Sequence, residues 1–118
     1  METPSQLTAA TVMDRELALC RVGGDITLLK EIAAIFLDEY PKGLADLQGA
    51  LDAGDAYKFE RVAHGLKGSV ATFGAQLAVD AAFHLEQLGH AKDLATASAT
   101  LHILDQHLRV LHLELQAI

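Results

Sequence analysis

Apolar residues recur along this chain at intervals of three and four, the spacing that gathers side chains on one side of a helix. From about Ile26 to Leu51 the repeating positions are Leu29, Ile32, Ala33, Phe36, Tyr40, Leu44, Leu47 and Leu51. From about Asp93 to Ala117 they are Leu94, Ala97, Leu101, Leu104, Leu108, Leu111 and Leu115. Between these runs lie a helix from about Ala56 to Phe73, ending at Gly74, and another from about Gln76 to Leu88, ending at Gly89. A short first helix is expected from a cap at Asp14 to about Val22, closed by Gly23 and Gly24, with Asp25 capping the next. Gly54 and Asp55 make a second boundary of the same kind. Pro41 falls inside the second helix, where the missing backbone donor predicts a kink or a local break. Short links between long helices favour antiparallel neighbours. The predicted fold is all-α: an antiparallel up-down-up-down four-helix bundle with a short N-terminal helix. It spans residues 14–118 and follows a flexible segment, residues 1–13.

Composition sharpens this picture. A length of 118 residues suits one domain with one core. Apolar residues make up 51% of the chain and aromatics only 5%, with Ala and Leu dominant, a balance that favours packed helices over a sheet. Nine Lys and Arg stand against 16 Asp and Glu, giving a formal net charge of −7. Such an acidic chain disfavours nucleic acid and anionic lipid as general partners. No apolar run approaches the ~20 residues of a membrane span. The stretch Met1 to Thr11 lacks the basic-then-apolar pattern of a secretion signal. A cytoplasmic protein is expected, with a tether elsewhere in a longer parent protein left open. Cys20, flanked by Leu17, Leu19 and Val22, is expected as a small buried hydrophobe.

The chemistry concentrates between Phe59 and Ala75. On a helix, Phe59, Val62, Ala63, Leu66, Val70 and Phe73 cluster within about 40° of one direction, the core face. His64 projects about 140° from it, on a face shared with Tyr57, Gly68 and Ala71. Gly65 and Gly68 each cost up to ~1 kcal/mol relative to alanine inside a helix. Missing side chains around an exposed imidazole leave room for another molecule to approach. Lys67 follows His64 by three residues and is its neighbour on the helix surface, a point charge suited to a phosphoryl oxygen. Lys58 and Arg61 make the same stretch net basic despite Glu60, which suits a phosphoryl group and an acidic partner. Surface histidines, i+3 lysines and helix glycines are each common alone; together, at this spacing, they point to a site.

The remaining histidines carry less. His102, His107 and His112 are spaced by five, so successive ones diverge by about 140° and line no common face. They, with His84 and His90, are expected as solvated surface residues. Glu60 and His64 lie four apart, but one such pair is too few ligands for a metal site, and none is expected.

The run Ala63-His64-Gly65-Leu66-Lys67-Gly68-Ser69, with Phe73-Gly74-Ala75 and Leu85-Glu86 after it, closely resembles the signature of histidine-containing phosphotransfer (HPt) domains. The likeness extends to Val22-Gly23-Gly24-Asp25, Phe36-Leu37, Pro41 and Ala53-Gly54-Asp55. Val70 departs from the small residue often found after the serine, at a core-facing position. The resemblance implies that His64 is the phosphorylated histidine, that Lys67 is the accompanying lysine, and that Gly68 is the small residue permitting regulator docking. Gly65, Ala71 and Arg61 are expected to border the docking face. HPt domains have no kinase activity; they accept phosphoryl from a receiver-domain aspartate and pass it to another. The implied partners are response-regulator receiver domains, including that of a hybrid sensor histidine kinase, met by a monomer. This chain has no carboxylate cluster near His64, so Mg²⁺ is expected from the receiver partner rather than as a cofactor of its own. Two alternatives stay open: a P1-type phosphoacceptor domain served by a kinase ATP domain, and a helical interaction module without chemistry. An autokinase is disfavoured, since no ATP-binding glycine-rich segment is present and no proline follows His64.

The hairpin between the third and fourth helices turns near Gly74 and Ala75, so His64 should lie level with Leu85 and Glu86. With Ala78, Ala81, Ala82 and Leu85 facing inward, Glu86 falls on the flank of its helix. There it is either a solvated carboxylate or the group that holds Nδ1–H and leaves Nε2 as nucleophile. An oxygen within about 3.2 Å of Nδ1 decides for the second.

Overall fold

A computed structural model of the chain describes residues 12–118. These residues form α1 (Arg15–Arg21), α2 (Ile26–Ala53), α3 (Ala56–Ala71), α4 (Gln76–His90) and α5 (Ala97–Gln116). α3 packs most extensively on α4, α2 on α3, α4 on α5, and α5 closes the ring against α2. The result is the expected all-α bundle, with α1 laid against it. Its core is built from one stripe of each helix, including the fully buried Leu29, Leu47, Phe59, Val70, Leu85, Leu104, Leu108 and Leu111.

The links follow a common device. After α1, the Gly24 N–H reaches the Leu19 carbonyl and the Gly23 N–H the Cys20 carbonyl; after α2, Asp55 and Gly54 do the same to Ala50 and Leu51. After α3, Ala75 and Gly74 bond Val70 and Ala71. These are Schellman closures, which place a left-handed residue just past the helix, and Gly23, Gly54 and Gly74 have φ of +67°, +69° and +62°. Asp25 and Asp55 then cap α2 and α3 by accepting from Leu28 N and Lys58 N, both at 3.0 Å.

Several elements differ from those the sequence predicts. α4 does not end at Gly89: it runs on to His90, and Lys92, with φ +59°, takes the left-handed position. α5 begins at Ala97 rather than near Asp93, because that closure occupies the residues between. α3 is regular only to Ala71, its last turn tightening through Thr72 and Phe73 into the Gly74 closure. α2 remains helical through Pro41, so no break occurs there. Cys20 is exposed, because α1 buries Ala18 and a residue two positions on projects to the other side. His112 is half-buried rather than solvated, its Nδ1 2.7 Å from the Tyr40 hydroxyl across the α2–α5 seam.

Of the expected flexible segment, residues 1–11 lie outside the described residues, but Val12 and Met13 are buried. The Glu114 carboxylate accepts from Val12 N at 3.0 Å and Met13 N at 2.8 Å, fixing this strand of chain to α5. Asp14 N then donates to the Phe73 carbonyl, and a Cβ at Gly74 would lie 2.7 Å from Asp14 Cβ. Gly74 is therefore required twice, by its φ and by this close approach.

Candidate functional site

α3 buries Phe59, Ala63, Leu66 and Val70, and this fixes its rotation. His64 consequently faces out, with 68% of its side chain accessible. Tyr57 and Gly68 are also exposed on this face, with Ala71 half-buried. A Cβ added at Gly65 or Gly68 would meet nothing within 4 Å, so no contact among the described residues calls for either glycine. Their absent side chains keep the surface beside His64 low.

On α4, Ala78, Ala81, Ala82 and Leu85 form the inward stripe, as expected, and the stripe continues onto Gly89. A Cβ at Gly89 would lie 2.8 Å from Glu60 N and 2.9 Å from Glu60 Cα. The backbones of α3 and α4 thus come close together one turn from His64, and the bare glycine permits it. Gly89 belongs to the machinery that sets the site. The signal was its place four residues after Leu85 on an otherwise small-residue stripe.

This approach brings Glu86 to the imidazole. Glu86 Oε2 lies 2.9 Å from His64 Nδ1, a hydrogen-bond distance that gives the carboxylate the orienting position. Lys67 Nζ meets the other oxygen, Oε1, at 2.7 Å as an ion pair without the angles of a regular hydrogen bond. Lys67 also lies over the Phe83 ring, 4.9 Å from its centroid, so the ammonium sits between an aromatic face and a carboxylate. Contact with Lys67 holds the Glu86 carboxyl below the usual carboxylate range; burial opposes this, and the bond to His64 adds to it. An ionised carboxylate only accepts, so Nδ1 carries the proton and donates. The lone pair is then on Nε2, on an imidazole with 68% of its side chain accessible. Lys67, expected to offer its charge to a phosphoryl oxygen, is engaged with Glu86 in the unphosphorylated protein.

A second pair crosses the same helices in the opposite sense: His90 Nδ1 of α4 lies 3.1 Å from Glu60 Oε2 of α3. Glu60 is therefore turned to His90 and not shared with His64. Among the described residues no group of three or more His, Cys, Asp or Glu is placed to hold a metal ion. No described helix is long and apolar enough to cross a membrane.

Two depressions flank the helix that carries His64. One, of about 370 Å³, is lined by Tyr57, Glu60, Arg61, His64, Gly65 and Glu86. The other is an apolar groove of about 370 Å³ between α2 and α3, with Ile35, Phe36, Tyr40, Gly65, Leu66 and Phe73 among its walls. Ile35 is 58% exposed there, an α2 residue that the reading centred on α3 did not single out. Arg21 of α1 donates to the Ala71 carbonyl and ties down the far end of this face.

Comparison with known proteins bears on the fold and the family. The chain superposes on the crystal structure of histidine-containing phosphotransfer protein B (HptB) from Pseudomonas aeruginosa PAO1 with a TM-score of 0.84. The match covers 92% of this chain and 94% of that one at 21% sequence identity, a likeness of fold. A search of curated proteins gave no match. The family model for the Hpt domain matches residues 31–118, which include α3, α4 and every residue of the His64 cluster. The chain belongs to the Hpt domain family and has a histidine phosphotransfer role in two-component signalling.

Proposed function

We propose that this protein is a phosphorelay intermediate in which His64 accepts a phosphoryl group from a receiver-domain aspartate and passes it to another response regulator. The observation that carries the reading is an exposed imidazole whose Nδ1 is held at 2.9 Å by a carboxylate itself paired with Lys67. Nε2 attacks the phosphorus of the aspartyl phosphate in line; the N–P bond forms as the P–O bond to the aspartyl oxygen breaks, returning that carboxylate. The Nδ1 proton stays in place, and Glu86 balances the positive charge the ring gains. Return transfer to a second receiver reverses these steps. The receiver brings the aspartate and its divalent cation; this chain supplies the nucleophile, its tautomer and an unobstructed approach across Gly65, Gly68 and Ala71. The apolar α2–α3 groove beside them, with Ile35 at its edge, fits a partner surface that is itself partly apolar. The carrier works as a monomer in the cytoplasm.

The test is incubation with a phosphorylated receiver domain. Acid-labile phosphate should appear on this chain, and His64→Gln should abolish it while leaving helicity and melting nearly intact, since an exposed side chain adds little to the core. Uptake by that variant would remove His64 from the role. Labelling by a kinase ATP domain with none from any receiver would favour the P1-type alternative.

A further inference from the structure

The cluster leaves one position unassigned, the cation that meets the phosphoryl group after transfer. Lys67 is the neighbour of His64 on the Nδ1 side, where it is spent on Glu86 and packed on Phe83. The phosphoryl group arrives on Nε2, the ring nitrogen that Glu86 leaves free. Viewed down α3, Arg61 lies about 60° from His64 on the side opposite Lys67, with Gly68 and Tyr57 between them. Arg61 and His64 line the same depression, together with Tyr57. The Arg61 guanidinium lies over the exposed Tyr57 ring, 5.6 Å from its centroid, a contact that favours its staying beside this depression. The two carboxylates that line the depression are both occupied, Glu60 by His90 and Glu86 by His64 and Lys67. Neither competes for the guanidinium.

We propose that Arg61, shelved on Tyr57, is the phosphoryl-oxygen ligand of phosphorylated His64, and that Lys67 serves the imidazole through Glu86. This rests on His64 as the phosphoacceptor. A guanidinium presents paired donors that match two phosphoryl oxygens, whereas an ammonium acts as a point charge.

The test uses the intact protein and phosphoramidate, a small donor that transfers phosphoryl to the imidazole and releases ammonia, so no docking partner enters. The phosphoryl group is followed by ³¹P NMR as a function of pH, and its loss is timed. Removing a unit charge about 5 Å away in water should raise the second ionisation of the phosphoryl group by about half a pH unit, roughly threefold tighter proton binding. Arg61→Gln should show that rise and a shortened phosphohistidine lifetime, and Arg61→Lys should restore much of both. Lys58→Gln, which removes the same charge from the same helix away from the depression, should match the unsubstituted protein. An Arg61→Gln protein with unchanged ionisation and lifetime overturns the assignment of Arg61 and leaves the phosphoacceptor standing. A rise of equal size in Lys58→Gln also overturns it, since the effect is then one of net charge. Absence of phosphohistidine in the unsubstituted protein overturns the phosphoacceptor reading, and this one with it.

Discussion

Replacing Gly89 by alanine should damage the His64 site from one helical turn away. The added Cβ would sit 2.8 Å from the backbone nitrogen of Glu60 and 2.9 Å from its Cα. Both are backbone atoms inside α3, so no rotamer change relieves the clash. Recovering ordinary contact at 3.4 Å requires α4 to retreat locally by about 0.6 Å. Alanine is the better helix former by up to about 1 kcal/mol. Overpacking a close helix–helix contact costs about 1–3 kcal/mol, so the clash outweighs the propensity gain. The net effect should be a loss of about 1 kcal/mol, lowering Tm by roughly 4 °C in a domain of this size. Glu86 precedes Gly89 by three residues, and the same retreat draws its carboxylate from 2.9 Å towards the limit of a hydrogen bond with Nδ1. Thermal unfolding followed by circular dichroism reads the first effect. The ¹⁵N shifts of the His64 ring read the second, as a change from one tautomer to a mixture. A Gly89→Ala protein that melts at or above the original temperature and keeps a single Nδ1–H tautomer would show that the α3–α4 approach does not depend on this glycine.

Acid should act on the same carboxylate. Glu86 has a folded-state pKa lowered from the ordinary 4.5, chiefly by Lys67, so its contribution is complete above that value and is lost as pH falls through the lowered one. Stability measured against pH should therefore drop more steeply below pH 4.5 in the original protein than in Glu86→Gln, and parallel curves would show the pairing to be energetically idle. Gly68→Gln should keep or slightly raise Tm, since a Cβ there meets nothing within 4 Å, yet slow transfer from a receiver domain by crowding the approach to His64; an unchanged transfer rate would make the glycine incidental. Glu114→Ala should leave two buried-side N–H groups at Val12 and Met13 without an acceptor and destabilise the fold by about 1–3 kcal/mol, read in a denaturant titration; undiminished stability would mean that the contact adds nothing.

The helical repeat showed in advance which faces of α3 and α4 turn inward, because Phe59, Ala63, Leu66 and Val70, and Ala78, Ala81, Ala82 and Leu85, follow it closely. Glu86 could be placed level with His64 by counting from the turn. The bond itself was not legible, since it depends on how near α4 comes to α3, and that is set by Gly89. A glycine after an amphipathic run reads equally as a terminator or as a contact point, and here the second held. The true terminator, Lys92, was hidden because a non-glycine residue in the left-handed region has no sequence mark. Leu94 keeps the spacing of the α5 stripe and is partly buried, yet it lies in the α4–α5 link, so burial alone suggested a helix there. Spacing excluded a common face for His102, His107 and His112, but it says nothing of each one's exposure, and His112 meets Tyr40 because α5 closes on α2. Lys67 was identified by its position after His64; its engagement with Glu86 and Phe83 requires a neighbouring helix that the local sequence does not show.

On the proposed mechanism His64 carries the phosphoryl group on Nε2 because Glu86 holds Nδ1. Phosphorylating ¹⁵N-histidine-labelled protein with a phosphorylated receiver domain and locating the group by ³¹P–¹⁵N coupling reads this placement. The coupling should appear at Nε2 of His64 alone, with the Nδ1 proton retained. Coupling at Nδ1 would mean that Glu86 does not direct the transfer, and coupling at any of the other five histidines would mean that His64 is not the phosphoacceptor.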